Sequence, residues 1–120
     1  MELELKRGGR TARVETLGGE LVSYRDERGL EYIWGGDPAY WPGRNPLLFP
    51  IVGMLKEGKI RFDGREYAME RHGFARRREF TPAARGEDWV RLELRESAET
   101  LALYPYPFRL AVEQRLTDTG

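Results

Sequence analysis

Residues 59–69, KIRFDGREYAM, give the clearest indication of the fold. Two short runs of alternating apolar and polar side chains flank the dipeptide Asp63-Gly64. This dipeptide readily adopts the positive φ angles of a two-residue hairpin turn, and the alternation is the pattern of a strand with one buried face. The stretch therefore predicts an antiparallel β-hairpin, and similar patterns recur on both sides of it.

Toward the N terminus, four segments have the length and composition of strands. They are residues 2–6, 12–16, 20–25 and 30–34, and glycine pairs or polar turns separate them. In the first of these, Leu3 and Leu5 alternate with charged residues, which is the period of a half-buried strand. We predict a strand in each segment.

The apolar run 47–52, LLFPIV, follows a loop and lacks any alternation. A short continuous apolar run is typical of a strand buried on both faces, and a proline inside it requires an edge position or a bulge. We therefore expect residues 47–52 to form a strand that lines the core, with Pro50 at such a position.

The C-terminal half continues in strands. Residues 79–83, 89–95 and 110–116 have strand patterns, and a proline-containing corner, YPYPF, lies before the last of them. Ser97 and Thr100 have the spacing of a helix cap, but we interpret that segment as a loop. Since no stretch keeps a helical period over the ~11 residues that a helix requires, the predicted fold class is all-β, an antiparallel β-sandwich, with residues 1–120 forming a single domain.

Composition excludes several classes of function. The 20 basic and 20 acidic side chains give a formal net charge of zero, which argues against a nucleic-acid binder because phosphate neutralisation requires a basic excess. The chain has no cysteine and one histidine, so we expect no metal site and no cofactor. No apolar run approaches the roughly 20 residues of a membrane span, and no leader is recognisable, so we expect no membrane partner and a cytoplasmic location.

The single histidine, His72, is the first candidate for chemistry. It lies in RHGFARRREF, residues 71–80, among four arginines. Histidine alone has an ordinary pKa close to neutrality, and Gly73 beside it would let a ligand approach the backbone. The alternative is an ordinary surface or hydrogen-bonded histidine.

Residues 35–45, GGDPAYWPGRN, form the second candidate region, a predicted loop with aromatic content. Tyr40 and Trp41, flanked by Asp37 and Arg44, suit a polyol, whose C–H faces stack on aromatic rings while its hydroxyls form hydrogen bonds. The alternative is that the two aromatic side chains close one end of the sandwich.

Several segments in series resemble the start of an aldose 1-epimerase, of the galactose-mutarotase superfamily, and in particular its epimerase-like and hexose-6-phosphate mutarotase-like branch. They are EYIWGGDPAYWPGRNPLLFPIVGML at 31–55, KIRFDGREYAMERHGFARRREF at 59–80 and ETLALYPYPFRLAVEQRL at 99–116. The resemblance implies a β-supersandwich with a sugar groove across one sheet, and a reaction that interconverts α and β anomers of a hexose or hexose phosphate by acid–base ring opening.

The resemblance also implies roles for individual residues. His72 matches the family's first active-site histidine, near the sugar ring oxygen, and is the catalytic candidate. Arg44 and Arg76 resemble groove positions that bind hydroxyls or a phosphate, and Trp41, Gly73 and Phe74 complete the substrate-binding candidates. Arg77 and Arg78 are interpreted as solvated charges.

The match is incomplete, because the family's second histidine and late glutamate base are expected well downstream of these segments. We therefore interpret the chain as the N-terminal part of a mutarotase-like domain and expect weak or absent turnover by it alone. The alternative function is a non-catalytic carbohydrate-binding domain. The expected partner is a small-molecule sugar or sugar phosphate, and an uncovered sheet edge would favour self-association.

Overall fold

The computed structural model describes all 120 residues and consists mainly of short β-strands. The strands are β1 (Glu2–Arg7), β2 (Arg10–Glu15), β3 (Glu20–Arg25), β4 (Lys59–Phe62), β5 (Arg65–Ala68), β6 (Thr81–Arg85), β7 (Trp89–Arg95) and β8 (Arg109–Arg115). One α-helix, α1 (Ala98–Leu103), and two 3₁₀ turns, Lys56–Gly58 and Ala75–Arg77, are the helical elements. None of these helices has the length and apolarity needed to cross a membrane.

The strands form three antiparallel sheets, in the orders β1-β2-β3, β4-β5 and β6-β7-β8. The predicted all-β class is confirmed. The hairpin β4–β5 is confirmed with its turn at Asp63-Gly64, where both residues have positive φ. The register pairs Phe62 with Arg65, so the two-residue loop is as short as the dipeptide predicts.

The two three-stranded sheets share one hydrophobic core. In β7, Val90, Leu92 and Leu94 are buried and alternate with more exposed residues, as the sequence alternation predicts. Leu3 and Leu5 of β1 are buried in the same cluster. The arrangement is a small sandwich in which β1, β2 and β7 each direct one face into this core, whereas β6 is exposed along its length.

Residues 47–52 were expected to be a core strand, and this expectation is wrong. The segment contains only one isolated bridge, between Phe49 and Gly73, and the side chain of Val52 is 76% exposed. Its backbone bonds to a turn rather than to a ladder, because the Phe49 carbonyl accepts from the N–H groups of Phe74 and Ala75. The apolar composition therefore serves a connecting loop whose central residues pack against the core.

Two other expectations are corrected. Residues 30–34 form no strand, since only Glu31 makes a bridge, to Arg25. Residues 98–103 form α1 rather than a loop. Ser97 and Thr100 make a capping box, in which the Ser97 side chain accepts from the Thr100 N–H and the Thr100 hydroxyl accepts from the Ser97 N–H. This cap stabilises a helix too short to show a period in the sequence.

Candidate functional site

His72 lies in the turn between β5 and the second 3₁₀ turn, in an unusual backbone conformation. Its φ is +63°, in the left-handed region that few side chains adopt, and Gly73 follows with φ +73°. Two hydrogen bonds to Gly53 hold this conformation: the His72 N–H donates to the Gly53 carbonyl at 2.8 Å, and the Gly53 N–H donates to His72 Nδ1 at 2.8 Å. A strained residue held in this way marks a candidate functional position.

The hydrogen bond from Gly53 determines which imidazole nitrogen is free to contact a ligand. Because Nδ1 accepts a backbone N–H, the proton of the neutral ring resides on Nε2. The ring is half-buried, and Nε2 makes no hydrogen bond within the chain. The structure therefore presents Nε2–H as a hydrogen-bond donor, while Nδ1 fixes the orientation of the ring.

The loop that carries Gly53 and the turn that carries His72 are joined by further backbone contacts. Besides the pair at Gly53, the Phe49 carbonyl accepts from Phe74 N at 2.9 Å and from Ala75 N at 3.2 Å. Gly73 lies directly against this carbonyl. Gly53 was not among the residues singled out from the sequence, and nothing in the chain between residues 53 and 72 signals that these backbones meet.

The aromatic and arginine candidates meet in a separate hollow of about 320 Å³. Trp41, Arg44 and Arg76 line it, together with Glu20 and Arg77 and with residues of the 42–46 loop. Trp41 is 54% exposed, so its ring does not pack inside the sandwich. The structure thus brings three of the sequence candidates together, and His72 is not among the lining residues.

The charges in this hollow are predominantly positive. Arg77 is paired with Glu70 at 2.8 Å, and the Glu20 carboxylate accepts from the Asn45 N–H at 2.5 Å. Arg44 makes no ion pair or hydrogen bond. One terminal nitrogen of Arg76 donates to the Arg71 carbonyl at 3.1 Å, while its Nε is buried without a partner. Arg76 therefore connects the hollow to the residue preceding His72.

Phe74 lies in the interior, where only 1% of it is exposed. Its ring contacts Phe49 and Phe108 at centroid distances of 6.1 and 5.9 Å, and Phe49 in turn lies 5.1 Å from Phe108 and 6.0 Å from Tyr104. We refer to Phe49, Phe74, Tyr104 and Phe108 as the aromatic cluster. Phe74 therefore packs the histidine turn onto the aromatic cluster.

The carboxylates with shifted pKa values lie elsewhere. Hydrogen bonds lower the pKa of Asp26 and of Asp118, and the bond to the N-terminal amino group lowers the pKa of Glu15. For Glu31, burial raises the pKa, but hydrogen bonds from Ser23 and from backbone N–H groups outweigh it and lower the pKa to about 2. None of these four bonds to His72, and no group of three or more potential metal ligands occurs.

Comparison with known proteins connects this geometry to a family. The family model of the aldose 1-epimerases matches residues 1–120. The plasmid protein LacX of Lactococcus lactis subsp. lactis is 41% identical over 117 residues, covering 93% of this chain and 39% of LacX. Two solved structures superimpose with a TM-score of 0.95, each over 98% of this chain and 40% of its own length. They are a galactose mutarotase related enzyme from Lactobacillus acidophilus, 28% identical, and a galactose mutarotase-like protein from Lactobacillus casei, 31% identical.

The chain spans about two fifths of the length of these relatives. Within that span the match is continuous, and it includes the sandwich, the histidine turn and the loop that bears Trp41 and Arg44. Both the family model and the superposition cover nearly every residue described above. The chain therefore belongs to the aldose 1-epimerase family.

Proposed function

We propose that the chain takes part in interconverting the α and β anomers of a hexose or hexose phosphate. The reaction requires a base that removes the proton of the anomeric hydroxyl and a donor that supports charge on the ring oxygen while the ring opens. Rotation of the open-chain aldehyde and closure then give the other anomer. Family membership supports this class of isomerase, and the residues below supply the donor to the ring oxygen.

The orientation of His72 is the observation that carries the proposal. With Nδ1 occupied by the Gly53 N–H, the free Nε2–H can donate a hydrogen bond to the sugar ring oxygen. That bond strengthens as negative charge develops on the oxygen during ring opening, so it stabilises the transition state more than the bound sugar. Full protonation of the ring at Nδ1 would break the Gly53 bond, so we assign His72 the role of polarising donor.

The hollow lined by Trp41, Arg44 and Arg76, which Arg76 links to the Arg71 carbonyl, is the proposed location for the rest of the sugar. The exposed ring of Trp41 can stack on a C–H face of a pyranose, and Arg44 and Arg76 can donate to hydroxyl or phosphate oxygens. Gly73 keeps the backbone beside His72 free of a side chain. Phe74 is proposed to act indirectly, by holding the turn in place.

The base is the component that these residues do not supply. The four shifted carboxyl groups, Glu15, Asp26, Glu31 and Asp118, all have lowered pKa values and are engaged in other bonds. A general base is most effective when its pKa lies near the working pH. This favours a second candidate function, a carbohydrate-binding domain that retains the hollow without the acid–base pair.

Anomer exchange measured by NMR on a freshly dissolved pure anomer tests the proposal. Because the base is not supplied here, the expected result is at most a weak rate above that of buffer in the wild type, and any such excess falls to the buffer rate in His72→Asn. Asparagine tolerates a left-handed φ, and its amide oxygen can accept the Gly53 N–H, but it lacks a donor at the position of Nε2. His72→Gln places an amide N–H farther out and is expected to retain part of the rate.

A wild-type rate equal to that of buffer would remove the catalytic assignment for this chain. In that case, calorimetry distinguishes the binding domain, since sugar binding that is weakened in Trp41→Ala and Arg44→Ala supports it. Because His72 is the single histidine, ¹⁵N NMR of the labelled imidazole reports its tautomer without assignment. A predominant Nδ1–H tautomer would contradict the proposed donor role.

A further inference from the structure

His72 occupies the third position of a β-turn formed by residues 70–73. The Gly73 N–H donates to the Glu70 carbonyl at 3.0 Å, and φ is positive at His72 but not at Arg71. This combination defines a type II turn, whose third position normally carries glycine or asparagine because of its positive φ. In this chain the glycine comes one residue later, at Gly73. The sequence of the turn alone would therefore not favour the type II form.

A type I turn closes the same four residues with the central peptide group, between Arg71 and His72, reversed. In type I the third residue has a φ of about −90°, which suits any L side chain. The reversal leaves the bond that closes the turn in place. The chain can therefore exchange between the two turn types without unfolding.

Two hydrogen bonds to the central peptide group exist in the type II form. Its carbonyl, that of Arg71, accepts from Nη2 of Arg76 at 3.1 Å. Its N–H, that of His72, donates to the Gly53 carbonyl at 2.8 Å. Because a peptide group is planar, reversing it turns both the carbonyl and the N–H away from these partners. Arg76 is the one side chain that bonds to this peptide group.

The backbone of Arg76 is fixed by the packing around it. It lies in the 3₁₀ turn Ala75–Arg77, which begins at the fully buried Ala75. A Cβ atom on Gly18 would lie only 2.8 Å from the Arg76 carbonyl oxygen, so the two chain segments are in close contact. The Arg76 Nε is buried as well. Since a guanidinium is always charged, its hydrogen bond to a carbonyl is about twice as strong as one between neutral groups.

We propose that Arg76 is a positioning residue for His72. Its bond to the Arg71 carbonyl selects the type II turn, which presents the imidazole to the Gly53 N–H. In the type I form the changed φ moves the ring away, and Nδ1 loses its donor. The inference rests on the proposed function only for its catalytic consequence, because the turn itself is tested without a sugar.

NMR of the free protein distinguishes the two turns directly. In a type II turn the Hα of Arg71 lies close to the amide proton of His72, whereas in a type I turn the two amide protons lie close together. The wild type is expected to show the first nuclear Overhauser contact, and Arg76→Ala the second as its main contact. A type I pattern in the wild type, or an unchanged type II pattern in Arg76→Ala, would overturn the proposal.

Arg77→Ala is the matched control. Arg77 belongs to the same 3₁₀ turn and lines the same hollow, but its side chain pairs with the Glu70 carboxylate at 2.8 Å and not with the central peptide group. This variant removes the same charge and is expected to keep the type II turn. Equal loss of the type II pattern in both variants would show that the charge of the hollow determines the turn, and would reject the proposal.

Amide hydrogen exchange measures how strongly Arg76 holds the turn. The His72 and Gly53 N–H groups are bonded in the type II form and released in type I, so their exchange is expected to accelerate in Arg76→Ala by at least about tenfold, the effect of one hydrogen bond to a charged group. The amide of the buried Leu92, in the central strand β7, reports global opening and should change little. Equal acceleration of all three amides would indicate general destabilisation and reject the local role.

Two further variants separate the hydrogen bond from the cost of a positive φ. Arg76→Lys keeps a charged donor of similar reach and is expected to recover most of the type II pattern. His72→Gly removes the penalty on a positive φ, so the double variant with Arg76→Ala should remain type II. A lysine variant that matches Arg76→Ala, or a type I turn in the double variant, would contradict the proposal. Because no sugar is present, a wild type that fails to exchange anomers would remove the catalytic role of His72 and leave this result standing.

Discussion

A Cβ atom on Gly73 would lie 2.1 Å from the carbonyl oxygen of Phe49. Because the obstructing atom belongs to the backbone, it cannot move aside as a flexible side chain would. Gly73 also has a φ of +73°, which costs an L side chain about 1–2 kcal/mol. We expect Gly73→Ala to pay this cost and about 1–3 kcal/mol more for the clash, measured as the free energy of unfolding in urea.

Gly29→Ala is the matched control for this change. Gly29 has a φ of +80°, and no atom lies within 4 Å of a Cβ built on it. Gly29→Ala should therefore lower the free energy of unfolding only by the cost of a side chain at positive φ, about 1–2 kcal/mol. Equal losses at the two positions would mean that the contact between Gly73 and Phe49 is not a constraint in solution.

Glu31 is expected to make stability depend on pH in the acid range. Its pKa in the folded protein is about 2, below the ordinary value of 4.5. The folded state therefore favours the carboxylate, and the stabilisation is fully present above pH 4.5 and is lost as the pH falls toward 2. We expect Glu31→Gln to unfold at lower temperature than the wild type at pH 6, with a difference that shrinks between pH 4.5 and 2.

Glu87→Gln provides the comparison, since the Glu87 side chain makes no hydrogen bond or ion pair. It should follow the wild-type melting temperature across the same range. A constant difference between wild type and Glu31→Gln at all pH values would show that the variant acts through shape and not through charge.

The Ser97 cap of α1 is expected to make its own contribution to the free energy of unfolding. Ser97 accepts from the Thr100 N–H at 3.2 Å, and Thr100 is 1% exposed. Ser97→Ala removes the acceptor and should cost about 1 kcal/mol in free energy of unfolding. Ser97→Asp retains a capping oxygen and should cost little, so an equal loss in both variants would argue against the cap as the cause.

The strands were predictable where one face packs against the core and the other faces solvent. Val90, Leu92 and Leu94 alternate because they point into the shared core, and Asp63-Gly64 specifies its turn locally. Residues 47–52 were wrongly predicted to be a strand because an apolar run predicts that a segment is buried but not which part of the chain packs on it. The Phe49 carbonyl in this run accepts from the N–H groups of Phe74 and Ala75, more than twenty positions away, and no local pattern encodes that partner.

The candidate site was predictable to a similar extent. Residue chemistry and loop composition indicated His72, Trp41 and Arg44. They did not indicate that His72 lies outside the hollow that Trp41 and Arg44 line. Phe74 was expected to face a ligand, yet it is buried because the turn directs its ring into the aromatic cluster. The tautomer of His72 depends on the Gly53 N–H, and a main-chain donor leaves no signature in residue identity.

The aromatic cluster has a consequence for how sequences of this kind can drift. Phe49 belongs to the loop that bonds the histidine turn, whereas Tyr104 and Phe108 belong to the corner before β8. A change of ring size at Phe108 would displace Phe49, and with it the hydrogen-bonded backbone next to the imidazole. Substitutions at these distant positions should therefore be inherited as compensating pairs, so the evolutionary history of the corner before β8 is tied to that of the histidine turn.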